Sequence, residues 1–197
     1  MLDLQSENSE KTSTLLKAAH SDQELDAFKT RLEALDLEPI IYKITHHHEG
    51  KGWSLEKADQ VAALYKQFLT LIFLYPGIGN VPTRDIDNFW HYHILDTAKY
   101  YDDCHMLFGR FIHHFPYFGL RGMKDATDLE KAFVQTRALF QEHFQVSFGY
   151  EEAKPTDCRD DCVSIPCGGP PDFNTDCADC VGQLSFFRSQ ERPRPVR

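Results

Sequence analysis

The segment Asp87-Asn88-Phe89-Trp90-His91-Tyr92-His93 sets acid, imidazole and aromatic rings side by side, and the pattern runs on through Tyr100, Asp103 and Cys104 to His113-His114-Phe115-Pro116. Asp87 and His91 stand four residues apart, so on a helix their side chains share a face. That spacing lets one helix offer two ligands to a single metal ion. His93 points nearly opposite in a regular helix. It can join the pair only if the helix unwinds near Leu95, where Asp96 offers a fresh cap.

Tyr100, Asp103 and Cys104 share one face of a following helix, at i, i+3 and i+4. The His113-His114 pair arrives from a loop held by Pro116. Three segments therefore supply imidazole and carboxylate, which suits a 2-His-1-carboxylate iron site or a His/Asp zinc site. On that reading Asp87 and His91 bind the ion, and His93 or His114 completes the set. Tyr100 or Asp103 handles protons, and Trp90, Phe111 and Phe115 form a dry wall. The alternative is structural. His91 and His93 would be interior histidines bonded to Asp87, Asp103 or the backbone, tying helices together. No serine or cysteine sits in a nucleophile elbow and no glycine loop cradles phosphate, which argues against triad hydrolases and nucleotide enzymes.

The elements that must position these groups read as helices. Ser21 and Asp22 offer caps to a helix from Gln23 to Asp36, after a shorter one over Glu10 to His20. Pro39 reads as the end of that helix, with Ile40-Ile41-Tyr42 entering a loop and His46-His47-His48 an exposed turn. Ser54 caps a helix through Leu74 whose last turns are apolar nearly all round, which predicts a central position. Thr83 caps Arg84 to Leu95, Asp96 caps Ala98 to Phe108, and Gly109 closes the latter. A final helix is expected from Thr127 to Gln145, docked by Leu129, Phe133, Phe140 and Phe144. No stretch sustains a period of two. The expected fold class is all-α: a compact bundle of five to six helices over residues 1–150, with an irregular Cys/Pro-rich tail over 151–197.

At 197 residues the chain is long enough to bury a core, and 42% hydrophobic with 26% charged residues is a globular composition. A net charge of −9 disfavours phosphate backbones, so nucleic acid is not an expected partner. The run Phe68 to Tyr75 is too short to span a bilayer, where about 20 apolar residues are needed. The first residues lack the basic and apolar regions of a signal peptide, so a cytoplasmic protein is expected.

Five of the six cysteines lie beyond residue 157. Cys158 and Cys162, then Cys177 and Cys180, form C-x3-C, fourteen residues, C-x2-C, with Cys167 between. This spacing is close to a four-cysteine zinc ribbon, and a metal would order a tail that has no core of its own. Reduced, unliganded cysteines in a disordered tail are the other reading. The last ten residues carry four arginines against one glutamate, a tip that is either solvated or an anchor for an acidic partner.

Asp85-Ile86-Asp87-Asn88-Phe89-Trp90-His91-Tyr92-His93-Ile94-Leu95, followed by Tyr100, Asp103-Cys104, Gly109 and His114-Phe115-Pro116, resembles the glycine-rich domain-containing protein-like family over roughly residues 55 to 145. Plant members carry a similar Asp-x-x-Trp-His-x-His segment in a longer chain, while bacterial members are short like this one. The resemblance implies no defined activity. It does invite the metal hypothesis at Asp87, His91, His93, Asp103 and His114. The glycine-rich tract of many relatives is replaced here by the cysteine- and proline-rich segment, with Gly168-Gly169 as its close pair.

Two principal functions follow as expectations, with a third beside them. One is a cytoplasmic metalloprotein, an iron or zinc enzyme working at the Asp/His site. The other is a non-catalytic helical interaction module that recruits a protein or peptide partner through the aromatic loop Phe111–Phe118 or the thiol-rich tail. Metal storage or delivery through the tail thiols is a third.

Overall fold

A computed structural model describes residues 20–76, 79–148 and 192–197. Its regular elements are six helices: α1 (Asp22–Ala34), α2 (Glu38–Thr45), α3 (Leu55–Leu74), α4 (Arg84–Leu95), α5 (Thr97–Phe108) and α6 (Met123–Phe144). There is no β-strand among the described residues, and the fold is the all-α bundle expected. Residues 10–19 of the helix expected over Glu10 to His20 and all five tail cysteines fall outside the described residues.

Local chemistry sets most of the boundaries. The Ser21 hydroxyl accepts from the Glu24 N–H while the Glu24 carboxylate accepts from the Ser21 N–H, closing a capping box on α1. Ser54, Thr83 and Asp96 accept in the same way from Lys57, Ile86 and Lys99. Two boundaries depart from the sequence expectation. Pro39 sits in the first turn of α2 and starts a helix there, because its missing N–H belongs to the turn where no intrahelical partner exists. Ile40, Ile41 and Ile44 are consequently core residues. The last helix begins four residues before Thr127, at Met123, without a side-chain cap. The Asp125 carboxylate instead accepts from the Gly119 and Arg121 N–H groups of the turn leading into it.

Helix α3 is the centre. Ala58, Val61, Ala62, Tyr65, Phe68, Leu69 and Leu71 are buried along it, and it packs against α2, α4 and α6. Helix α5 packs against α4 and α1. A smaller cluster of Val81, Leu129 and Phe133, with Phe118 beside it, seats the first half of α6 against the loops. Among the described residues no helix is long and apolar enough to cross a membrane.

Candidate metal centre

Helix α4 stays regular to Leu95, so its polar residues divide between two sides. Asp87 and His91 lie one turn apart on one side. The Asp87 carboxylate is 4% exposed and the His91 ring 35%, at the edge of solvent. Their third member comes from the chain beyond α5. Gly109 ends α5 with φ 67°, a left-handed conformation natural to glycine, and redirects the backbone. Exposure then alternates as in an extended chain: Ile112 is buried, His113 exposed, His114 largely covered and Phe115 exposed. This alternation splits the histidine pair. His114 turns inward to Asp87, while the His113 ring rests on Phe111, centroids 4.9 Å apart.

His114 Nε2 lies 3.0 Å from Asp87 Oδ1 and 3.3 Å from His91 Nε2, and His91 Nε2 lies 3.4 Å from Asp87 Oδ2. Ligand atoms held about 2.1 Å from one ion are about 3.0 Å apart at right angles and about 3.4 Å apart at tetrahedral angles. The three atoms are therefore close enough to hold a single metal ion. Asp87 and His114 border a cleft of about 380 Å³. Trp90, Phe115 and Phe118 supply apolar lining, and Arg110 and His113 stand at it as further polar groups.

A hydrogen-bonded brace holds the third ligand in place. Trp90 Nε1–H donates to the Tyr100 hydroxyl at 2.9 Å, and that hydroxyl donates to the Ile112 carbonyl at 2.6 Å. The Trp90 indole meets the His114 ring edge-on, centroids 4.8 Å apart. Tyr100 thus fixes the segment that delivers His114. Burial pushes its phenol far above the usual tyrosine range, so it stays protonated. Burial likewise raises the pKa of Cys104, the described cysteine, which makes it a core thiol rather than a nucleophile.

His93 belongs to the opposite side. Its ring is buried, with Nε2 2.8 Å from Asp103 Oδ2 and Nδ1 2.9 Å from the Tyr65 hydroxyl. Burial lowers its pKa and outweighs the opposing bond from Asp103, so the ring is neutral at pH 7. The carboxylate can only accept, which puts the proton on Nε2 and leaves Nδ1 to accept from Tyr65. Lys99 Nζ closes this network 2.8 Å from the same Asp103 oxygen. The expected ligands thus separate: Asp87, His91 and His114 come together, while His93 and Asp103 bond each other elsewhere. Sequence reasoning left out Tyr65, a phenol within an otherwise apolar helical stripe, and Arg110 at the cleft. The tail cysteines Cys158, Cys162, Cys177 and Cys180 lie outside the described residues.

A helical bundle with two histidines and an aspartate converging from α4 and the post-α5 loop defines the class of protein. Residues 30–139 match the model of the UCP032817-like family, a stretch that contains the whole cluster. The chain belongs to that family, which is the glycine-rich domain-containing protein-like family of the sequence resemblance. It is 31% identical over 140 residues to Glycine-rich domain-containing protein 1 of Arabidopsis thaliana, an alignment covering 69% of this chain and 16% of that protein. The chain thus corresponds to less than a fifth of the length of that plant relative. No solved structure matches it.

Proposed function

We propose that this is a metal-binding protein whose ion, iron or zinc, is held by Asp87, His91 and His114. The observation that carries the reading is the triangle of ligand atoms, whose three edges of 3.0, 3.3 and 3.4 Å match those around one first-row ion. Two imidazoles and one carboxylate on one side leave the remaining positions open towards the cleft, the ligand pattern of catalytic rather than closed structural sites. A bound ion would supply Lewis acidity to oxygen groups entering the cleft. The chain's own residues do the rest. Trp90, Phe115 and Phe118 give the cleft apolar surface, while Arg110 and His113 suit a small substrate with an acidic group. Tyr100 positions His114, and the neutral His93–Asp103 pair ties α4 to α5.

Metal analysis of untagged protein tests this reading. One iron or zinc per chain is expected at the cluster, lost in the Asp87→Asn/His91→Gln variant. It should survive substitution of His46, His47 and His48 by alanine and of Cys158, Cys162, Cys177 and Cys180 by serine. The cysteine variant separately reports any ion in the proposed tail ribbon. An unchanged metal content in the Asp87→Asn/His91→Gln variant overturns the site.

Exposed apolar groups after His114 favour a second reading, a docking module for a protein partner: Phe115 is 53% exposed, Tyr117 59% and Met123 90%. Under it, the purified protein carries no ion at Asp87, and Phe115→Ala/Tyr117→Ala abolishes partner binding without altering the fold.

A further inference from the structure

The arginine-rich tip does not stand free in solvent. Residues 192–197, Arg-Pro-Arg-Pro-Val-Arg, lie along the helical body, and each of the three arginines forks onto a carboxylate. Arg192 uses Nε and Nη2 on the two oxygens of Asp96, the cap of α5. Arg194 uses Nη1 and Nη2 on the two oxygens of Asp36, between α1 and α2. Arg197 grips Asp59 of α3 at 2.6 and 2.8 Å and reaches Glu38 of α2 at 2.7 Å. Four acidic residues from three parts of the fold thus meet one short segment in register.

An isolated surface ion pair contributes little, but paired N–H···O forks add geometric selection that a point charge cannot match. The intervening prolines contribute too. Pro193 and Pro195 restrict φ and favour an extended chain, so less freedom is lost when the arginines are placed. Pro193 and the first two arginines also line a groove with Lys99, Asp102 and Asp103, the last of which holds His93. Burial raises the Asp96 and Asp36 carboxyls, yet the guanidinium bonds, the backbone N–H groups of Lys99 and Glu38 and the Lys99 charge together hold them below the usual aspartate range.

We propose that the face formed by Asp36, Glu38, Asp59 and Asp96 is a recognition site for an extended arginine–proline segment of pattern Arg-x-Arg-x-x-Arg, and that residues 192–197 of the same chain are its resident ligand, bound within the same molecule. Because the segment belongs to the same chain, its binding is intramolecular and needs no free peptide in solution. A peptide of modest intrinsic affinity is then enough to keep the face occupied, and a competitor of the same pattern can displace it.

The test uses the full chain and a full-chain Arg192→Ala/Arg194→Ala/Arg197→Ala variant, with folding checked by circular dichroism. The probe is a fluorescently labelled Arg-Pro-Arg-Pro-Val-Arg peptide. It is expected to bind the arginine-less variant at least tenfold more tightly than the wild type, whose face is already filled. Adding Asp36→Asn/Asp96→Asn to that variant should remove the binding, and a Lys-Pro-Lys-Pro-Val-Lys peptide should bind several-fold more weakly. Equal binding to wild type and variant overturns the proposal, as does equal binding of arginine and lysine peptides, which would reduce the contact to net charge. A wild-type dimer that becomes monomeric in the arginine-less variant overturns occupation within one molecule in favour of exchange between two copies.

Discussion

Two histidines on one helix, separated by a single residue, lead different lives. His93 is sealed in the core with both ring nitrogens committed, to Tyr65 and to Asp103. His91 sits at the rim, its Nε2 facing another imidazole and a carboxylate beside a cleft. The ring chemistry is the same and the neighbours decide the use. A histidine whose two nitrogens are spent on fixed partners contributes to the fold, and one that converges with other ligand atoms at an open edge is available to an ion.

The sharpest way to break this contrast is to remove each ring in turn. His93→Ala leaves the Tyr65 hydroxyl without its acceptor, takes one of two partners from Asp103 and opens a cavity, a loss of about 3–5 kcal/mol. For a chain of this size that is a fall in Tm of roughly 6–20 °C, read by thermal unfolding. His91→Gln should leave the Tm of metal-free protein nearly unchanged; an equal loss in both variants would erase the distinction.

Metal should then separate the two sides in the other direction. At a free concentration a hundred times the Kd, an ion bound to the folded state stabilises it by about 2.7 kcal/mol. That rise is expected in wild type and His93→Gln, and should vanish in His91→Gln. Between the two regions stands Tyr100. Tyr100→Phe strips the Trp90 indole and the Ile112 carbonyl of their partner, costing about 1–3 kcal/mol. Because the lost bonds brace the His114 segment, metal affinity should also fall by about tenfold, measured by calorimetric titration. A loss of stability without a loss of affinity would make Tyr100 a core residue alone.

The smallest effect concerns the turn that follows His114. The Arg121 guanidinium, with the N–H groups of Arg121 and Gly119, holds the Asp125 carboxyl down at about 2 against an ordinary 3.8. A depressed acid stabilises the fold fully above its unfolded pKa and loses that contribution as pH falls towards the folded one. Stability carried by this turn should therefore disappear between about pH 4 and pH 2, and Asp125→Asn should flatten that part of the acid unfolding curve.

Much of this was legible in the residues. Capping side chains announced α1, α3, α4 and α5, and the i, i+4 spacing placed Asp87 with His91. The helix period also put His93 on the far side unless α4 unwound, and α4 does not unwind. Pro39 misled because proline both ends helices and begins them, and only the packing of Ile40, Ile41 and Ile44 into the core tells which. The start of α6 carries no cap to announce it. The choice between His113 and His114 depended on backbone direction after Gly109, which periodicity does not encode in a short irregular segment. The arginine tip found its carboxylates 96 to 159 residues away in the chain, and such pairings leave no local trace.

The alternation of residues 111–115 has a consequence for how this site tolerates change. In a stretch with a side-chain period of two, inserting one residue just after Gly109 exchanges the inner and outer rows. With imidazoles at both 113 and 114, a slip of that kind would still aim a nitrogen donor at Asp87. Adjacent duplication thus preserves a third ligand through a one-residue lengthening of the loop that carries it.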